Sequence, residues 1–307
     1  MVSSRTLIWI LTASLVLASC RTFVPAPPTV DPTSAPTSLP ETATPAPDYL
    51  ARLREAEYQL GLTDGLRVVQ LAAGKYAQGV PGDPDYATVT LTDFTARGDL
   101  NGDGLDEYAA MVAENYGGTG TFVFLAVFAE TGGKLKFQTS VLVDDRPLLN
   151  EISIEGGEVF LAATTHKSDD PMCCPTLSTE RHYRLINNYL RMTDYATFTP
   201  DGRPRTVAIE SPFNGTEVFQ SVPIEGSVTI APFENNLVYR ILDLGGVELA
   251  KGSITVDAAD PGAPGTFDQT ILLGNVLSGA VIRIEVQDIN AEDGSLFAMD
   301  SVELVVK

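Results

Sequence analysis

The sequence predicts a mainly β protein: two β domains in tandem on a Pro-rich segment that does not fold. Three observations predict it. Short runs of alternating or continuous apolar residues recur along residues 49–307, bounded by Gly, Asn and Asp turns. Gly, Thr and Val dominate those runs, and only "PDYLARLREAEYQL" at 47–60 offers a helical pattern. Residues 21–48 are rich in Pro, Thr, Ser and Ala with almost no core-forming side chains.

The first element is the N-terminus, "MVSSRTLIWILTASLVLASC". Arg5 precedes an apolar run of about a dozen residues, the length of a signal-peptide core rather than a membrane span. Residues 1–19 are therefore expected to be a signal peptide. The run ends in Leu17-Ala18-Ser19-Cys20, which resembles the lipobox of bacterial lipoproteins. That resemblance implies cleavage before Cys20, acylation of Cys20 and an extracytoplasmic protein anchored to a bacterial membrane by its lipid. Each buried methylene of such chains contributes about 0.8 kcal/mol, so several chains anchor stably. Residues 20–48 then read as a disordered tether. In polyproline II it would reach on the order of 80 Å.

Acidic residues outnumber basic ones two to one, 40 against 20, for a net charge of -20. Nucleic acid and anionic lipid headgroups require clustered Lys and Arg, so the partners expected are an envelope polymer or protein, with no nucleic acid.

The first folded domain is expected over 49–200, with a short lead-in helix in which Leu50, Leu53 and Tyr49 share a face. The runs "LRVVQLAAGKY", "ATVTLTDF", "EYAAMVAE", "TFVFLAVFAE", "KLKFQTSVLV", "NEISIEGGEVFLAATT" and "ERHYRLINNYLRM" predict an antiparallel meander. "NYGGTGTF" lacks a following Lys and a helix pattern, so it reads as a turn and not as a phosphate loop.

Within this domain "GDLNGDGLDEYAA", 98–110, carries the chemistry. Asp99, Asn101 and Asp103 place oxygens at alternate positions, and Gly102 and Gly104 permit a tight curl. The carbonyl of Leu105 and the carboxylate of Glu107 complete an oxygen cage suited to calcium. An EF-hand needs an acid at the twelfth position, where Ala110 stands. The segment instead resembles the calcium loops of FG-GAP repeats, present here in one copy with Glu107 where Asp is more usual. That resemblance implies Asp99, Asn101, Asp103 and Glu107 as side-chain ligands and Leu105 as a backbone ligand. The alternative is an Asp/Asn/Gly-rich turn that binds nothing.

The other singular segment is "HKSDDPMCCPT", 166–176. With Cys20 acylated, Cys173 and Cys174 are the only cysteines left, and outside the cytoplasm an even count points to pairing. A disulfide between these neighbours, stiffened by Pro171 and Pro175, is the favoured reading. A metal site with His166 and His182, a Cys-His nucleophile and a pair of free packed thiols are the alternatives. Residues 98–128 followed by "DPMCCPT" also resemble a module of uncharacterised bacterial envelope lipoproteins, which carries no established activity.

The second domain is expected over 205–307. Seven strand-like runs in about a hundred residues predict an immunoglobulin-like β-sandwich, here without Cys or Trp to pin it. "IESPFNGTEV", "VPIEGSV", "PFENNLVYRILDLGGVELAKG" and "GTFDQTILL" resemble the immunoglobulin-like domain of bacterial spore-germination lipoproteins. Ser211-Pro212, Gly226, Phe233-Glu234 and Gly252 stand where that pattern expects them. The resemblance implies an extracellular accessory or adhesion-like module without catalysis. The expected function is a surface-tethered, calcium-stabilised binding or structural lipoprotein. The alternative is an envelope enzyme centred on Cys173, Cys174, His166 and His182; against it, the chain has no GxSxG, HExxH or CxxC motif.

Overall fold

The computed structural model describes residues 48–62 and 66–307. The signal peptide, the lipidation position Cys20 and the linker up to residue 47 lie outside the described residues. Among the described residues no helix is long and apolar enough to cross a membrane.

Helix α1 (Tyr49–Leu53) begins where the Asp48 carboxylate accepts the N–H of Leu50 at 3.1 Å, an N-cap. It lasts little more than one turn. The chain then becomes strand β1 (Glu57–Leu60), because Tyr58 and Leu60 alternate into the core and are fully buried. β1 pairs antiparallel with β2 (Arg67–Gln70). The run 66–76 does not form a single strand: it reverses at Ala73-Gly74, both at positive φ, and leads into β3 (Lys75–Gln78).

A five-stranded antiparallel sheet follows in chain order, from β3 through β4 (Ala87–Gly98), β5 (Glu107–Asn115) and β6 (Phe122–Thr131) to β7 (Lys134–Asp145). β5 and β6 are nearly continuous apolar runs because both faces of the sheet are covered. Tyr108, Ala110, Val112, Phe124, Ala126 and Phe128 pack under α1, β1 and β2. Ala109, Met111, Val123, Leu125 and Val127 pack against Val159, Leu161, Tyr183 and Leu190 of the next sheet. Complete burial of the Val, Leu, Met and Phe side chains among them stabilises by about 1.5–3 kcal/mol each.

That next sheet begins with β8 (Leu148–Glu155), β9 (Glu158–Thr165), β10 (Leu177–Ile186) and β11 (Tyr189–Phe198), again hairpin by hairpin. β12 (Pro204–Arg205) pairs with β11 and turns the chain into the C-terminal part.

The C-terminal part is a sandwich. One layer is β13 (Val207–Ser211), β15 (Ser221–Val228), β19 (Gly265–Leu272) and β18 (Asp257–Ala258), in that spatial order. The other is β17 (Glu248–Thr255), β16 (Asn236–Asp243), β20 (Val281–Ile289) and β21 (Leu296–Val306), with β14 (Glu217–Val218) parallel to the end of β21. All seven expected runs are strands. Val222, Ile224, Leu237, Ile241, Phe267, Ile271, Ile282, Ile284 and Leu304 fill the space between the layers.

The two parts share one sheet. β21 pairs with β11, so the order runs β17-β16-β20-β21-β11-β10-β9-β8, a ten-stranded sheet once β12 and β14 are included. The described residues accordingly form one compact unit. A short ladder makes the joint: Asp194 opposite Asp300, Tyr195 opposite Met299, and Ala196 opposite Ala298.

Candidate functional site

Between β4 and β5 the chain makes the tight turn expected of 98–107. Gly102 and Gly104 adopt φ of 78° and 83°, a region a side chain would disfavour. The Asp99 carboxylate organises the curl by accepting N–H bonds from Asn101 at 3.2 Å, Gly102 at 2.7 Å and Gly104 at 2.8 Å. These donors, Gly104 first, hold its carboxyl below the usual range. Asn101 Oδ1 and Asp103 Oδ1 each accept the N–H two residues on. Glu107 is buried, and its oxygens accept from Leu100 N–H at 2.9 Å and Asn101 Nδ2 at 3.0 Å. Burial pushes the Glu107 carboxyl up, and the charges of Asp103 and Asp99 push it further.

The turn thus brings three carboxylates, an amide and the Leu105 peptide into one loop. The donor set is all oxygen, the preference of a hard cation. Asp99 Oδ1 accepts two N–H groups, while Asp99 Oδ2, Asp103 Oδ1 and both Glu107 oxygens accept one donor each and retain a further lone pair. Among the described residues, however, no three His, Cys, Asp or Glu side chains stand together as a ready metal-ligand set.

In the 166–176 segment the Sγ atoms of Cys173 and Cys174 are joined, with the Cα atoms 3.8 Å apart, and both residues are exposed. Asp170 closes the loop. Its carboxylate accepts from Lys167 N at 3.0 Å, Thr176 N at 2.8 Å and Thr176 Oγ1 at 2.8 Å, tying the ends of β9 and β10 together. The two histidines go elsewhere. His166 follows β9, with its N–H on Asp144 Oδ2 at 2.9 Å and its ring Nδ1 3.6 Å from the same oxygen. His182 lies opposite Phe160, five residue pairs along the β9–β10 ladder from Thr165–Leu177, or about 17 Å at strand spacing. The Cys/His centre of the enzyme reading is therefore not assembled: strand pairing sends His182 down the sheet and leaves the cysteines in a solvent-facing loop.

The group that sequence reasoning missed lies at the joint. A cavity of about 340 Å³ is lined by Glu158, His182, Arg184, Asp194, Asp300 and Glu303, with Thr193, Asn214 and Ser301 between them. Arg184 bonds Glu303 at 2.6 Å, and His182 Nδ1 lies 3.1 Å from Glu158. That contact raises the His182 pKa against the opposing effect of burial. Asp300 accepts Ile209 N–H and Ser301 N–H, each at 2.7 Å. Among the described residues no donor reaches the Asp194 carboxylate. Burial first, and the facing Asp300 second, push Asp194 up to about 7. The one trace in the sequence is the alternation Glu180, His182, Arg184 in "ERHYR", which places three charges on one face of a strand.

A search of characterised proteins returns no match for the chain. The C-terminal part has a relative at the level of a family. Residues 206–295, which span β13 to β20 of the sandwich, match the model of the immunoglobulin-like domain of bacterial spore germination, a non-catalytic immunoglobulin-like family.

Proposed function

We propose that the chain is a lipid-anchored, non-catalytic binding or structural module of the bacterial cell envelope. Cys20 carries the anchor, residues 20–48 form the tether, and residues 49–307 present the binding surface to an envelope polymer or protein. The observation that carries this reading is the likeness of 206–295 to a non-catalytic immunoglobulin-like family. That region shares its sheet with the preceding strands, so whatever the sandwich docks on is coupled mechanically to the rest of the unit. Calcium in the 99–107 loop would be held by Asp99, Asn101, Asp103 and Glu107 with the Leu105 carbonyl, neutralising carboxylates crowded into one turn. The Cys173–Cys174 disulfide would stiffen the loop that Asp170 closes.

Intact mass of the product from a bacterial host, with and without chelator and thiol alkylation, tests each part. The reading expects a chain beginning at an acylated Cys20. It further expects a calcium adduct removed by chelator and lost in Asp103→Asn, and cysteines that alkylate only after reduction. An unacylated chain would overturn the anchor. A mass unchanged by calcium would overturn the loop assignment, and ready alkylation of both thiols would overturn the disulfide.

A further inference from the structure

The joint between the meander and the sandwich is short and is built around charge. Its ladder is three residue pairs long, and the pair at one end is Asp194 opposite Asp300. Directly opposed side chains on antiparallel strands have Cβ atoms about 4.5–5.5 Å apart, and like charges placed so destabilise the pairing. The surroundings do little to neutralise this pair. From β9 the cavity receives Glu158, from β10 His182 and Arg184, and from β21 Glu303; Glu180 of β10 also acts on Asp194. Arg184 is committed to Glu303 and His182 to Glu158. Asn214, from the β13–β14 connection, is neutral; its Oδ1 accepts Glu303 N–H, and among the described residues its Nδ2 donates to neither aspartate. Burial raises Asp300 too, but its two backbone donors oppose that rise, whereas Asp194 has none and is the member that takes the proton more readily.

We propose that this joint is a pH-sensitive latch: the facing Asp194 and Asp300 leave β11 and β21 paired while Asp194 carries a proton, and drive the strands apart once both are ionised. Burial raises both carboxyls, Asp300 against the pull of its two backbone donors and Asp194, which also faces the Asp300 charge, to about 7. His182, whose pKa is raised by Glu158, gives up its own charge as pH climbs, so the change reinforces that of the pair. The sign follows from linkage. A carboxyl with a raised folded pKa stabilises the joint at low pH, and that contribution is lost as pH rises through the folded value. The consequence is regulation of the coupling between the two parts, distinct from anchoring and from calcium. In mildly acidic surroundings the sandwich and the meander behave as one body, and in alkaline surroundings the joint opens locally.

The test is hydrogen–deuterium exchange of the full chain at about pH 5.5 and pH 8.5, corrected for intrinsic rates, with Asp194→Asn alongside. In the wild type, protection of the amides around 194–196 and 298–300 should fall by roughly tenfold or more at the higher pH, while β5 and β6 stay unchanged. Asp194→Asn should be protected equally at both pH values. His182→Gln, which leaves the aspartates in place, should keep the pH response. Wild-type protection that does not change with pH, or an Asp194→Asn chain that retains the full response, would overturn the proposal. If Asp194→Asn does not fold, Asp300→Asn is read instead: burial still acts on Asp194, so the pH response should shrink with the facing charge gone, and a response as large as that of the wild type would overturn the latch.

Discussion

Gly226 provides a sharp test of how the sandwich is packed. It lies in the middle of β15, between Ile209 of β13 and Phe267 of β19. Its φ is not positive, so only space is at issue. A Cβ there would stand 2.1 Å from the carbonyl oxygen of Ala208 and 2.3 Å from Cζ of Phe267. Ordinary carbon contacts are about 3.5–4.0 Å, so both neighbours would have to retreat by more than 1 Å. One is backbone held in the sheet, and the other is a ring 3 % exposed in the core. Overpacking of this kind costs typically 1–3 kcal/mol. With a backbone atom among the obstacles, Gly226→Ala belongs at the upper end, about 3 kcal/mol, or roughly a hundredfold in the folding equilibrium. Gly252→Ala is the control. Its Cβ would meet Tyr239 at 2.6 Å, but the obstructing atoms are the far end of a half-buried ring that can swing, so the cost should stay below about 1 kcal/mol. Urea denaturation of the full chain measures both. Adding Phe267→Leu to Gly226→Ala should recover part of the loss but not all of it, because the Ala208 carbonyl remains. If Gly226→Ala is as stable as the wild type, the close approach of β13, β15 and Phe267 is refuted; if Gly252→Ala costs as much as Gly226→Ala, the distinction between a yielding ring end and a fixed backbone atom is refuted.

Three further outcomes are expected. Glu114 is completely buried, with its carboxylate on the Arg67 guanidinium and on Tyr116 Oη at 2.7 Å; Glu114→Ala should cost about 3 kcal/mol by stranding Arg67, and Glu114→Gln distinctly less, as denaturant midpoints will show. Tyr58→Phe removes a buried hydrogen bond to the Leu53 carbonyl at 3.1 Å without creating a cavity, so it should lower stability by about 1 kcal/mol in the same assay. Burial raises the carboxyl of Asp288, and Arg205, 2.6 Å away, pulls it back. A raised folded pKa means stability lost as pH rises, and removing Arg205 raises it further; thermal melts should therefore show Arg205→Ala costing more at neutral pH than at pH near 4. A penalty independent of pH would show that Arg205 acts only by packing on Phe297, whose ring centroid lies 4.0 Å from its guanidinium carbon.

The strands were legible because alternation and turn residues are local properties. The hairpin turns at Gly132-Gly133 and Gly156-Gly157 have the positive φ that marks them in the sequence, and the seven C-terminal runs all became strands. Local pattern was less informative where burial is two-sided. β5 and β6 read as apolar runs without saying what covers them, and "PDYLARLREAEYQL" has a helical pattern although its last four residues are strand β1. The turn at 99–107 was also readable, since its side chains bond to the backbone two to five residues away.

By itself, then, the sequence determined the β class, the hairpin order, the immunoglobulin-like likeness of the C-terminal part and the two singular loops, all of which depend on neighbours along the chain. Tertiary structure alone decided that the two parts share a sheet, that His182 is carried down the sheet away from the Cys173–Cys174 loop while His166 sits on Asp144, and that Asp194 meets Asp300 in a polar cavity. These features depend on which strand edges meet. Strand pairing is satisfied by backbone N–H and C=O groups that every residue but proline carries in full, so the choice of partner leaves no mark on the residues that make it.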